Sequence, residues 1–270
     1  SLLDKPLPDN ANIIIIDNDS DIDYESFFKE DLDLKNKYHE GQFEVIRNKV
    51  NIGLSANLLR SFEVSTGKWM WLLSDDDDLA DNAILKILDK LKNIQEDIGF
   101  IKFSSERSQP EYDNFIVDSF DKFIDFNSRS VDDFNSFLFI SNGIYRISDF
   151  LPLISIGFDF AHTYMPHYMM LIKFFLKDKH CIIYKDKIVD YVVPQIGYSY
   201  SMVAGLGVGA AKHIIFKSNK TTYQKFINLF FPHNDIKVLI DLYYNCKANG
   251  ELHVFNYLSK TYISYISQSR

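Results

Sequence analysis

The sequence has 270 residues, 46% hydrophobic and 15% aromatic, which suits one large α/β core or a catalytic domain with a helical appendage and excludes a disordered chain. A formal charge of −8 argues against broad nucleic-acid binding, which needs a basic face to neutralise phosphates. Two cysteines, Cys181 and Cys246, stand far apart outside any C-x-x-C pattern, so no disulfide framework or zinc knuckle is indicated and a reducing, cytoplasmic setting fits best. No apolar run approaches the roughly 18–20 residues that cross a bilayer and no signal-like leader opens the sequence, so membrane contact is expected to be peripheral, at the inner face.

Along the chain, Asn12-Ile13-Ile14-Ile15-Ile16-Asp17 is a β-branched run ending in a carboxylate, which predicts a buried strand of a parallel sheet. Asp17 to Asp21 is the turn that leaves it. Residues 43–46 predict a second strand, and Ser55 is placed to cap a helix carrying Leu58, Leu59 and Phe62, with Gly67 to end it. A third strand follows over 69–73. Next comes a helix with the stripe Ile84, Ile87, Leu88, Leu91 and Ile94, capped by Asp81 or Asn82, and then a strand over 99–103. Strands alternating with amphipathic helices at this interval predict a doubly wound α/β sheet. Ligands of such sheets lie outside the carboxyl ends of the strands, where Asp17 and the aspartates after Leu73 both fall, so one shared crevice is expected.

Further on, a helix is expected near 131–140, another from Pro166 to about Leu176, and strands over 181–184 and 188–193. Residues 198–211, rich in Gly, Ser and Tyr, read as a mobile loop. Gly205-x-Gly207-x-Gly209 is a weak phosphate-loop signal and a better lid. From Lys212 onward the pattern is helical and aromatic-rich, which divides the chain into 1–211 and a C-terminal helical extension over 212–270.

Chemistry concentrates in Ser74-Asp75-Asp76-Asp77-Asp78-Leu79. Carboxylates held together after an apolar strand repel one another unless a cation sits among them. Hard oxygen donors without Cys or His select Mg²⁺ or Mn²⁺, and a partly hydrated octahedral ion keeps positions for phosphate oxygens. The competing reading is a solvated acidic turn at the start of a helix.

Asn51-x-Gly53-x-x-x-Asn57, Thr66-Gly67-Lys68-Trp69 and Leu72 to Leu79, in that order and spacing, closely resemble the central block of family 2 glycosyltransferases of the GT-A fold. Residues 13–21 resemble the preceding acidic strand-turn element of the same family, so the resemblance covers about residues 1–105. It implies a GT-A-type doubly wound mixed sheet and inverting transfer of a sugar from a nucleotide-sugar to a saccharide or lipid-linked acceptor in bacterial surface-polysaccharide or lipopolysaccharide assembly. By the same resemblance Asp17 and Asn18 would meet the nucleoside, and Asn51, Gly53 and Asn57 would line the donor cleft. Asp75 and Asp77 would hold Mn²⁺ or Mg²⁺, with Asp75 and Asp76 also on the donor; four consecutive aspartates leave the alignment of Asp76 and Asp78 open.

Members of that family open with a further strand and helix. Ser1-Leu2-Leu3 resembles the end of that helix, so the first strand is expected to be missing from the sequence. The second half resembles the family loosely. Residues 141–146 correspond to a strand near the acceptor, and 158–167 to the place of a catalytic acidic motif. The usual Glu-Asp pair is absent, leaving Asp159, His162 and His167, of which Asp159 is favoured as base with His162 as its competitor. Two other classes stand beside this one. A haloacid-dehalogenase-like phosphohydrolase would need Thr or Val after the Asp-x-Asp, where Asp78-Leu79 follows instead. A non-catalytic module would self-associate through its C-terminal helices, an association also open to the enzyme.

Overall fold

The structure is a computed structural model that describes residues 7–8, 10–23, 32–105, 108–190 and helical positions scattered between 240 and 260. The segment expected to be a lid and most of the expected C-terminal extension lie outside the described residues.

Strand β1 (Ile13–Asp17) runs parallel to β2 (Phe43–Arg47), with Ile13 opposite Phe43 and Asp17 opposite Arg47. Helix α1 (Leu32–His39) lies between them in sequence, and α2 (Leu54–Val64) follows β2. The central sheet has five strands in the order β3-β7-β5-β8-β6: β3 (Trp69–Trp71), β7 (Gly143–Arg146), β5 (Ile98–Phe103), β8 (His180–Tyr184) and β6 (Phe115–Val117). Only β5 and β8 pair in parallel; β3–β7, β7–β5 and β8–β6 are antiparallel. A short ladder joins β4 (Asp78–Leu79) to β9 (Val189–Asp190).

Alternation along these strands sends side chains into two separate cores. Phe100, Tyr145, Cys181 and Ile183 meet α2, α4 (Phe120–Asn127), α5 (Val131–Leu138) and α8 (Pro166–Phe175) on one face. Ile101, Phe103, Ile144, Ile182 and Tyr184 meet Ala83 and Ile87 of α3 (Ala83–Lys92) on the other. Helices on both faces of a mixed sheet are the expected fold class. Every residue of β5 is buried, as a strand covered on both faces requires.

Between β7 and α8 run α6 (Ile147–Phe150) and α7 (Ile154–Asp159). A Cβ on Gly157 would lie 2.3 Å from Leu59 Cδ2 and 3.0 Å from Met170 Sδ. The bare backbone there is what lets α7 rest between α2 and α8, and this contact fixes where Asp159 emerges.

Two local expectations are corrected and a third is met. Ser55 is inside α2 with its hydroxyl buried and unbonded; the cap position belongs to Gly53, at φ 81. A left-handed backbone at that position suits glycine and leaves the helix entrance without a side-chain cap. Gly67 does not end the helix, because α2 stops at Val64 with an extended Ser65. Asn82 does occupy the cap of α3, but at φ 58 and with no side-chain hydrogen bond.

Candidate active site

The acidic run leaves β3 and is tied to the start of β7. Because the two strands are antiparallel, with Trp71 opposite Ile144, the turn before β7 arrives beside the carboxyl end of β3. There the Trp71 Nε1–H donates to the Ser141 carbonyl (2.7 Å), the Ser74 N–H donates to Ser141 Oγ (3.0 Å), and Ser141 Oγ–H donates to Asp77 Oδ2 (2.6 Å). Ser74 Oγ–H in turn donates to Asp76 Oδ1.

The four aspartates are thereby made unequal. Asp75 and Asp76 are exposed on the turn, and Asp78 is committed to β4, opposite Asp190. Asp77 is half-buried, and its carboxyl is pushed above the ordinary carboxylate range, chiefly by burial and then by the charges of Asp76, Asp78 and Asp75, against the Ser141 hydrogen bond. Among the described residues no group of three or more His, Cys, Asp or Glu converges as a complete metal cage. The donor set does fit a Mg²⁺- or Mn²⁺-type ion taking one or two carboxylates and completing its shell with water and phosphate.

Asp17 ends β1 in a tight electrostatic turn. Its Oδ1 accepts from the Ser20 N–H (3.0 Å), and Arg47 Nε stands 3.4 Å from Oδ2 while the same guanidinium donates to the Ile22 carbonyl (2.9 Å) and to that of Ser20. The Asp17 carboxylate therefore also closes its own loop, a role that the β2 register dictates by placing Arg47 opposite it.

Asn18, expected at the nucleoside, and Asn51 and Asn57, expected in the donor cleft, are brought together by Asn48. Buried Asn48 donates from Nδ2 to Asn18 Oδ1 (3.0 Å) and to Asn57 Oδ1 (2.8 Å). Asn18 Nδ2 donates to Asn51 Oδ1 (2.9 Å), which also receives the Gly53 N–H (2.9 Å). Nothing local marks Asn48; its position just after a strand end, next to Arg47, was the available signal. The β1–β2 ladder and the β3-containing sheet are separate, so Asp17 ends a strand of one sheet while the aspartates follow β3 of another, which stops at Trp71.

Asp159 is exposed at the last residue of α7, and His162 is exposed on the short 3-10 turn Ala161–Thr163. The helix ends between them, so their three-residue spacing does not stack them on one helical face. His167 is excluded from acid–base work. It is buried, its Nε2–H donates to the Leu138 carbonyl (3.0 Å), and burial holds its pKa down to about 4.

The family model described as glycosyl transferase family 2 matches residues 1–142, more than half of the 270-residue chain. The chain belongs to glycosyl transferase family 2. Solved structures share its fold: S. aureus TarS residues 1–349 aligns with TM-score 0.57 and 13% identity over 86% of this chain and 66% of that one. The same S. aureus fragment in complex with UDP gives TM-score 0.53 and 13% identity, over 85% and 64% of the two chains. Mannosyltransferase PcManGT from Pyrobaculum calidifontis, in complex with GDP-Man and Mn²⁺, gives TM-score 0.52 and 12% identity, over 81% and 60%. The chain thus spans just under two thirds of TarS 1–349 and less of the others. No curated protein sequence matches it.

For this family 2 chain the matched residues include Asp17, Asn51 to Asn57, the aspartate run and Ser141, and they stop just before β7. The segment holding Asp159 and His162 lies beyond the match. No helix among the described residues is long and apolar enough to cross a membrane.

Proposed function

We propose that this chain is an inverting glycosyltransferase that moves a sugar from a nucleoside-diphosphate sugar to a hydroxyl of a saccharide or lipid-linked acceptor, in the assembly of a bacterial surface polysaccharide. The observation that carries the reading is Asp77, fixed by Ser141 at the carboxyl end of β3 amid three further carboxylates, in a chain of family 2. Asp75 and Asp77 would hold Mn²⁺ or Mg²⁺, which when bound would neutralise charge on the departing diphosphate. The structural relatives named with UDP, or with GDP-Man and Mn²⁺, support a nucleotide donor and a divalent ion.

The remaining roles belong to the protein's own groups. Asn18, Asn51 and Asn57, knitted by Asn48, would form the wall of the donor cleft, with Gly53 letting the chain turn there and Asp76 at its mouth. Asp17 would meet the nucleoside from a turn that Arg47 already holds rigid, so that little ordering remains on binding. Asp159 would remove the acceptor proton, with His162 orienting the acceptor. Support for Asp159 is positional: it emerges where α7 crosses α2, the helix whose first turn carries Asn57. The alternative as a phosphohydrolase loses its support with the family match, since the acidic run was its whole basis.

A thermal-shift screen of nucleotide-sugars with and without Mn²⁺ tests the reading. A donor at 100 times its Kd should stabilise by about 2.7 kcal/mol, with Mn²⁺ required for the full effect. Transfer assays with the donor so found should lose turnover by roughly 10²–10⁴-fold in Asp159→Asn with donor affinity kept. Stabilisation by no nucleotide-sugar defeats the reading; loss of turnover in His162→Gln alone reverses the order of the two residues.

A further inference from the structure

The tie between the acidic turn and β7 runs through one fully buried hydroxyl, that of Ser141. Its oxygen accepts the Ser74 N–H and its proton goes to Asp77 Oδ2, while its carbonyl is held by the Trp71 indole. The Ser74 N–H has already chosen the hydroxyl oxygen as acceptor, so the hydroxyl proton is directed at the carboxylate and its rotor is fixed. Asp77 Oδ2 is thereby used, and among the described residues no hydrogen bond occupies Oδ1. A free carboxylate on a turn flanked by Asp75, Asp76 and Asp78 would swing away from its neighbours, because like charges in proximity repel. A charge-assisted bond at 2.6 Å holds it among them instead.

We propose that Ser141 is a positioning residue which holds the Asp77 carboxylate by Oδ2 and so presents Oδ1 to the divalent cation of the donor complex, an inference that rests on the metal-dependent reading of this turn. Ser141 touches neither cation nor sugar; it acts through Asp77. It comes from the turn preceding β7, some 64 positions from Asp77 in sequence, so the antiparallel β3–β7 register sets the carboxylate geometry of the site. Trp71 is the second member of this support, since its indole bond fixes the Ser141 backbone from the β3 side. Groups that orient a metal's direct ligands commonly matter about tenfold to a hundredfold for metal affinity.

Mn²⁺ uptake, followed as loss of the free-ion electron paramagnetic resonance signal in the presence of saturating UDP or, separately, GDP, tests this. Ser141→Ala should raise the Mn²⁺ concentration for half-saturation about tenfold to a hundredfold, and Ser141→Thr, which keeps the hydroxyl, should recover most of the loss. Metal-free nucleotide binding should stay at the parent value, which a merely structural defect would not allow. Should Ser141→Ala fail to fold, Trp71→Phe carries the test and should weaken uptake in the same direction. Parent-like Mn²⁺ uptake in the folded serine or tryptophan variant, with uptake lost in Asp77→Asn, overturns the role of Ser141 and leaves the metal reading standing. Parent-like uptake in Asp77→Asn, or no uptake by the parent with either nucleotide, overturns the metal reading and this role with it.

Discussion

At the scale of single residues, Asp77 shows how a site is made by unequal treatment of equal side chains. Four aspartates in sequence are chemically identical, yet strand pairing takes Asp78, solvent takes Asp75 and Asp76, and a buried hydroxyl takes Asp77. Its raised folded pKa means that the ionised form is penalised at neutral pH, and the penalty disappears below the unfolded value of 3.8, where the folded and unfolded groups are both protonated. Without metal, Asp77→Asn should therefore raise stability at neutral pH by about 0.5 kcal/mol, a small effect because the carboxylate is part-exposed and screened. Equal or lower urea midpoints for the variant at pH 7 would contradict this penalty from burial and neighbouring charge. The reverse order should hold in Mn²⁺ and nucleotide, where only the parent gains from the ion.

At the scale of elements, α7 is held by an absence, the missing side chain of Gly157. Alanine there would gain about 1 kcal/mol of helix propensity. It would also drive a methyl into Leu59, which is fully buried and cannot give way freely, and overpacking of this sort costs roughly 1–3 kcal/mol. We expect Gly157→Ala to destabilise by about 1 kcal/mol net. Added to Leu59→Ala, which makes room for the methyl, it should instead stabilise, so the pair should be strongly non-additive. Chemical denaturation of the two single variants and the double variant measures this coupling, and additive values would mean that α7 is free to move off α2. Because α7 ends at Asp159, the single variant should lose turnover more than donor affinity. The asparagine knot works similarly on the donor side, with Asn48 fastening the exits of β1 and β2 to the first turn of α2.

At the scale of the whole molecule, the central sheet carries a lysine in its interior. Lys102, on β5, is buried, donates from Nζ to the Ser136 carbonyl (2.8 Å) and lies 4.9 Å from the centre of the Phe137 ring; burial lowers its pKa to about 7. A folded pKa depressed below the unfolded 10.5 favours folding fully only above the unfolded value, and that contribution is lost as pH falls through about 7. Stability should accordingly climb from pH 7 toward 9, by up to about 1.4 kcal/mol per unit. Above 9 the climb is opposed by Cys181, and above 10 also by Tyr145, whose pKa values burial raises. Lys102→Met should abolish the climb and be more stable than the parent at pH 7, as urea midpoints at pH 7.0 and 8.5 would reveal; an unchanged climb would assign it to other groups.

The sequence by itself determined the elements that carry their own pattern. The β-branched run to Asp17, the stripe of α3 and the Trp69 strand before the aspartates are local signals, since period and composition act within a few residues. The family resemblance carried by these motifs implies a nucleoside contact for Asn18, a donor-cleft place for Asn51 and Asn57, and a metal-side place for Asp77. No local pattern assigns a role to Ser141, Asn48 or Arg47, and Ser55 lies inside α2 while Gly53 holds the cap. Only the tertiary structure decided these, because which hydroxyl meets which carboxylate depends on strand register, and register is set by the packing of both sheet faces rather than by any one segment.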